Sequence, residues 1–188
     1  MAFDTNTDFT AYKVNGISIL FDGDEAAENV GCTGKLEREM ETKNIKKTCG
    51  NVVLGSKTML TGEGTLTLTV FLKHEIALKV KSMVTTGLKK GVYAQSLDAF
   101  PTFCLTAEVE DFGGVKQLQA YPNATLNSYP KLTVDNSQDS VDALEMTIAT
   151  AADKNNAAFY EAIEDDLDAD TKSKWMTNFN ADLVKAAA

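Results

Sequence analysis

The side chains best suited to chemistry are few and scattered. There is 1 histidine, His74, and there are 3 cysteines, Cys32, Cys49 and Cys104. Nucleophilic catalysis of the Ser-His-Asp or Cys-His kind would have to run through His74. Nothing around His74 resembles a nucleophile elbow, and its place at a strand-to-helix junction fits an N-cap or a partly buried structural residue. One histidine and three scattered cysteines lack the paired spacing of a zinc site. An odd cysteine count with no close pair is not a disulfide framework. Unpaired thiols in a reducing cytosol are the expectation. Asp166, Asp168 and Asp170 repeat every second residue, as in a calcium loop. The sixth and twelfth positions of that loop would be Thr171 and Thr177, where Gly and Glu belong. A solvated acidic link between helices accounts for them better. Gly62-Glu63-Gly64 is too short for a phosphate cradle and leads into a strand rather than a helix. Asn123-Ala124-Thr125 is a glycosylation sequon only in a secreted chain. Carboxylates are plentiful, yet nothing singles out two of them as a hydrolytic pair. The reading is of no catalytic, metal or cofactor site, and of a protein that is not an enzyme.

Two other patterns carry a different kind of chemistry. Glu37, Glu39 and Glu41 alternate, and Lys43, Lys46 and Lys47 follow. An extended chain would put the three glutamates on one face and Leu36 and Met40 on the other. Single surface charge pairs contribute little. The length of this polar hairpin, Gly31 to Cys49, points instead to a contact role for the whole, as a charged protrusion that keys into another subunit. The second pattern is Thr65, Thr67 and Thr69, alternating with Leu66, Leu68, Val70 and Leu72. The Leu/Val face reads as core. The Thr face is semi-polar, suited either to water or to lining something that must not be greasy.

The elements that must hold these residues read mostly as strands. Met1 to Thr10 is a polar arm that either frays or docks on a neighbour. Tyr12 to Phe21 is a strand whose parity slips at Asn15-Gly16, as at a turn or a bulge. Asp22 to Asn29 is an acidic loop, and Asn51 to Gly64 is a loop with a short apolar piece, Val52-Val53-Leu54. After the Thr/Leu strand, Ile76, Val80, Met83 and Val84 predict a helix from His74 to Thr86. Gly87 would cap it, with Leu88 touching Met83. Phe103, Leu105, Ala107 and Val109 mark the next strand. Gly113-Gly114 is a hairpin turn. The return strand runs from Val115 to Tyr121, where Pro122 limits it to an edge or a bulge. Lys131 to Asp135 and Ala143 to Thr150 are further strands. Beyond Ala151, Phe159, Ile163 and Leu167, then Trp175, Phe179 and Leu183, follow helical spacing and predict short amphipathic helices. The fold class is mainly β (α+β): an antiparallel β-sandwich or barrel with one helix packed on its side and short C-terminal helices. The organisation is an arm (1–10), a β domain (11–151) and a C-terminal helical extension (152–188).

At 188 residues the chain can bury a core of its own. Its net charge of -9 argues against a surface that grips phosphates. No window approaches the ~20 apolar residues that span a bilayer, and the first residues carry no secretory signal pattern.

From Gly91 onward the order of short words resembles a known family. Gly91-Val92-Tyr93-Ala94 is followed by Cys104-Leu-Thr-Ala-Glu-Val-Glu-Asp111, then Leu118-Gln-Ala-Tyr-Pro-Asn-Ala-Thr-Leu126. Pro130-Lys-Leu-Thr-Val-Asp135 and Leu144-Glu-Met-Thr-Ile-Ala149 come next. Glu37 to Lys43, Cys49 to Val53 and the strand opening at Gly64 fit the same pattern. Taken from about Val30 to Asp165, the chain resembles the major tail, or tail tube, proteins of bacteriophages with long non-contractile tails. The segment from Asp166 departs from the shortest members.

The resemblance implies a β-sandwich whose copies form rings, hexameric in the family, that stack into a tube. Such a tube encloses a tape-measure protein, meets tail-tip and tail-terminator proteins, and passes DNA without binding it specifically. It implies a virion tail component made in the host bacterial cytoplasm, with no membrane partner. Three alternatives stand beside it. They are a related tube protein of a contractile injection or secretion system, a β-sandwich binding or adhesion module, and a hydrolase with a carboxylate pair.

Overall fold

The computed structural model describes residues 9–131 and 143–185. The strands are β1 (Ala11–Phe21), β2 (Glu28–Asn29), β3 (Gly31–Cys49), β4 (Val52–Leu72), β5 (Met83–Val84), β6 (Ala94–Gln95), β7 (Phe103–Asp111), β8 (Lys116–Leu126), β9 (Leu144–Ala151) and β10 (Tyr160–Ile163). Helix α1 covers His74–Val80, and α2 covers Ala169–Trp175 after a 3-10 turn at Glu164–Asp166. The main sheet is antiparallel, in the order β2-β1-β7-β8-β9-β4-β3, with β10 also on β8. The fold class is therefore mainly β, with one helix on the side and short helical turns at the end.

The sheet curls into a barrel because its first and last strands are one piece of chain. Only Val30 separates β2 from β3. The Val30 N–H donates to Ile17 O, and the Lys73 N–H donates to Val30 O, both at 3.0 Å. Gly31 makes the corner possible. It has φ +126, and a Cβ there would lie 2.3 Å from the Phe71 carbonyl oxygen. Inside the barrel sit Ile17, Ile19, Leu66, Leu68, Val70, Leu105, Ala107, Met146 and Ile148, all fully buried. Each lies on the apolar face that period-2 alternation predicts for its strand. Ile76 and Val80 of α1 join the same core.

Several expectations need correction. The run 51–64 is not a loop: β4 extends through it, paired with β3 to the tip, and the reversal is at Gly50-Asn51. Gly31–Cys49 is thus one strand, and the hairpin is β3 with β4. The helix from His74 stops at Val80, six residues early. Ser82 turns left-handed at φ 54, and Met83–Val84 pair with Ala94–Gln95 instead. Gly87 caps nothing; it lies in a turn closed by the Leu88 N–H on Thr85 O. Lys73, not His74, is the N-cap, and His74 is exposed with its ring edge-on to Tyr93. Glu28–Asn29, inside the expected acidic loop, adds a short strand to β1.

The slip at Asn15-Gly16 is a bulge. Pro122 also sits at a bulge, but β8 continues through it to Leu126. There β8 changes its outer neighbour from β10 to β9. The expected strand at 131–135 lies outside the described residues beyond Lys131, as do residues 1–8 of the arm.

The C-terminal segment differs most. Phe159 and Ile163 do not share a helix, since Tyr160–Ile163 is a strand on β8. Helix α2 ends at Trp175; Phe179 follows outside any regular element and Leu183 lies in a turn. Trp175 and Phe179 bury themselves against Leu118 and Ala120 as a second core. The Trp175 indole N–H donates to Gln119 O. Asp168 is the cap of α2, accepting from the backbone N–H of Asp170 and Thr171.

Candidate functional site

The hairpin splits into two unlike halves at Gly64. From Gly31 to Met40, β3 pairs with the part of β4 that also carries β9. At Met40/Thr42 the register shifts, and Thr61-Gly62-Glu63 are taken up on the β4 side. Beyond that joint, Thr42–Cys49 and Val52–Leu60 have only each other among the described residues. This arm is exposed on both faces. Ile45 is 51% exposed, Leu54 60% and Leu60 67%. Its register is pinned by Asn44, which donates to Thr58 Oγ1 at 3.1 Å and accepts from Ser56 Oγ at 2.8 Å.

The cross-strand register sorts the arm's side chains. Lys43 lies opposite Met59 and Ile45 opposite Lys57, so Lys43, Ile45, Lys47, Lys57 and Met59 share one face. Lys46 points the other way, opposite Ser56. Residues 42–60 hold four lysines and no acid, hence +4 in a chain of -9; the remainder carries -13. The arm is therefore cationic and apolar, and the body is acidic.

The glutamates and threonines read separately from the sequence come together. Glu37 lies opposite Thr67 and Glu39 opposite Thr65, with Lys35 opposite Thr69. On the far side of β4, Thr65, Thr67 and Thr69 face Ala149, Thr147 and Glu145. These residues form one outward, polar face over the Leu66/Leu68/Val70 core. The three threonines are half-buried. Glu41 falls in the register shift and has no directly opposed residue. With Glu63 and Thr65 it lines a groove at the arm's root.

Other polar groups have structural roles. Burial pushes the Cys104 thiol up to about 12, so it stays protonated and unreactive. Its side of β7 is covered by the second core, although alternation predicts a polar face. Cys32 and Cys49 are free and exposed. Lys79 of α1 reaches Asp24 at 2.8 Å and Glu28 at 2.9 Å, and these bonds raise its pKa. Arg38, which the sequence does not single out, projects from the face that carries Leu36. Its guanidinium lies 3.8 Å from the centre of the Phe159 ring.

No family model and no curated protein match the chain. Solved structures of similar fold include the following two. One is the anti-feeding prophage baseplate, 10% identical, covering 83% of this chain and 96% of its own, with a TM-score of 0.46. The other is the cap that terminates the anti-feeding prophage tube, 12% identical, covering 87% and 99%, with a TM-score of 0.43. At these identities and scores neither neighbour's role passes to this chain.

Proposed function

We propose that the chain is a structural subunit, not an enzyme, whose copies form rings that stack into a phage-type tail tube. The observation that carries this is the arm. A two-stranded ribbon with no third strand and no core is marginal in water, and its exposed apolar side chains mark an interface. Its partner must offer acidic surface, and the body of another copy does so at -13 against the arm's +4. One surface meeting a different surface of the next copy does not close on itself, so it propagates.

The polar face supplies the other half of the reading. Glu37, Glu39 and Glu145 give a wetted wall beside Thr65, Thr67 and Thr69, and acidic charge repels passing DNA. The finer assignments remain those of the non-contractile tail: hexameric rings, a tape-measure protein inside, tail-tip and tail-terminator proteins at the ends, and a place in the virion after synthesis in the bacterial cytoplasm. A sheath gene beside this one would move the assignment to the contractile class. Sedimentation and negative-stain microscopy of the purified protein, alone and with tail tips, test the core claim. Rings or tubes are expected. A compact monomer under every condition would overturn it.

A further inference from the structure

The two ends of the barrel are unlike. Antiparallel pairing of β1 with β7 sets Phe21 beside Phe103 at one end and Ala11 beside Asp111 at the other. At the second end the turn Asp111-Phe112-Gly113-Gly114 joins β7 to β8. The Asp111 carboxylate accepts from the Val115 N–H at 2.8 Å, and the Asp111 carbonyl accepts from the Gly114 N–H at 3.1 Å, so the turn is held stiff. Phe112 stands out from it, 88% exposed, with its ring edge-on to Tyr12, itself 63% exposed. Neither ring belongs to a buried core. At the first end lies a cleft of about 450 Å³, whose apolar lining is Leu20, Phe21, Cys104, Pro122, Phe179 and Ala181. The cleft and the arm share this end. Asn123 lines the cleft and pairs with Ala151, which pairs with Glu63 at the arm's root.

We propose that Phe112 of one copy is a knob that seats in this cleft of the next copy. The proposal rests on the reading that copies of the chain stack, and it names a contact which that reading leaves open. The arm leaves from the cleft's end, so the copy that receives the arm stands over the cleft. Head-to-tail addition keeps every copy the same way up. The receiving copy therefore turns its own Phe112 end toward the cleft. Cys104 and Phe112 are eight residues apart along β7. At about 3.4 Å per residue that is roughly 27 Å, so no chain fills its own cleft.

The chemistry of the two surfaces agrees. An exposed aromatic ring becomes a strong anchor when a pocket takes it out of water. The Phe21 and Phe179 rings offer edge-on or offset partners to a ring entering the cleft, and the Cys104 sulfur offers a further soft contact. The stiff turn sets the knob in advance, so little freedom is lost on docking.

Photocrosslinking tests this in the full-length protein, with p-azidophenylalanine at position 112 so that the ring is kept. In assembled samples, light is expected to give covalent dimers. Their adducts, mapped by mass spectrometry, should fall on the cleft at residues 20–24, 104 and 178–181. Phe112→Ala is expected to leave thermal unfolding as in the parent, because the ring is exposed. It should raise the protein concentration needed for tubes by roughly tenfold or more, and Phe112→Tyr should stay close to the parent. Adducts confined to other surfaces, or tubes of Phe112→Ala at the parent's concentration, overturn the contact and leave the tail-tube reading standing. A parent that forms no rings or tubes under any condition overturns that reading, and this contact with it.

Discussion

At the scale of single residues, the joint between arm and body is the most sensitive place. A Cβ on Gly64 would lie 2.8 Å from Met40 Sδ, 2.9 Å from the Glu39 carbonyl oxygen and 3.0 Å from Thr150 Oγ1. The methionine can move, but the backbone oxygen cannot without shifting the strand. Gly64→Ala is expected to cost about 1–3 kcal/mol, as overpacking does. Gly55, out on the arm, has nothing within 4 Å of its virtual Cβ. Gly55→Ala should therefore leave the denaturation midpoint unchanged or slightly raised; equal losses for both would refute the argument.

A second residue sets a pH dependence. Burial opposes the charge on Asp153, but the Tyr160 hydroxyl and the backbone N–H groups of Ala157 and Asn155 donate to it and lower its pKa overall. A carboxyl lowered on folding adds stability above its unfolded value, and that stability is lost as pH falls through the folded value. Asp153→Asn should flatten this acid limb of stability, measured by denaturant unfolding from pH 6 to pH 3. An acid limb identical to that of the parent would count against Asp153 as its source.

At the scale of elements, the arm divides stability from assembly. None of the residues between 42 and 60 belongs to either buried core. Replacing 42–60 by a short turn is expected to leave thermal unfolding within a few degrees of the parent and to abolish tubes in the microscope. Tubes of normal form without the arm would sink its proposed role. Reversing Glu37, Glu39 and Glu41 to Lys should also leave the subunit folded while impairing stacking; a folded variant that still builds normal tubes would refute that.

The same element shows why the sequence is legible in some places and not in others. Ile17, Leu66, Leu68 and Leu105 are readable because one face of each strand is buried within this chain, which forces alternation. Val52-Val53-Leu54 reads as a loop because the arm has no buried face in its own chain. Its apolar residues obey a constraint that a partner would supply. Phe159 and Ile163 fit helical spacing by count, yet Phe159 stacks on Tyr121 just before a four-residue strand begins. The lysines and threonines can be picked out from sequence alone. Their common faces, and the placing of Phe112 and the cleft at opposite ends of the barrel, exist only once the register is known.

At the scale of the whole molecule, the arm and the body differ in sign, and in the proposed assembly this shapes how copies add. An arm at +4 meeting bodies at -13 is attracted over a Debye length of about 10 Å in 0.1 M salt and about 3 Å in 1 M. Assembly should therefore slow and weaken as salt rises, and Lys43→Glu with Lys47→Glu and Lys57→Glu should suppress it even at low salt. The proposed contact is also directional, because the arm of one copy and the acidic acceptor of the next would be different surfaces. A chain lacking 42–60 can still accept an arm, but it offers none. Mixed into parent protein, it should enter rings and starve the next layer of donors. Tube length in negative stain should then fall with each increment of armless chain, well before the mixture reaches equal parts. If parent tubes keep their length and exclude the armless chain, the arm is a contact within a ring rather than between rings, and the direction of growth must be set elsewhere on the acidic body.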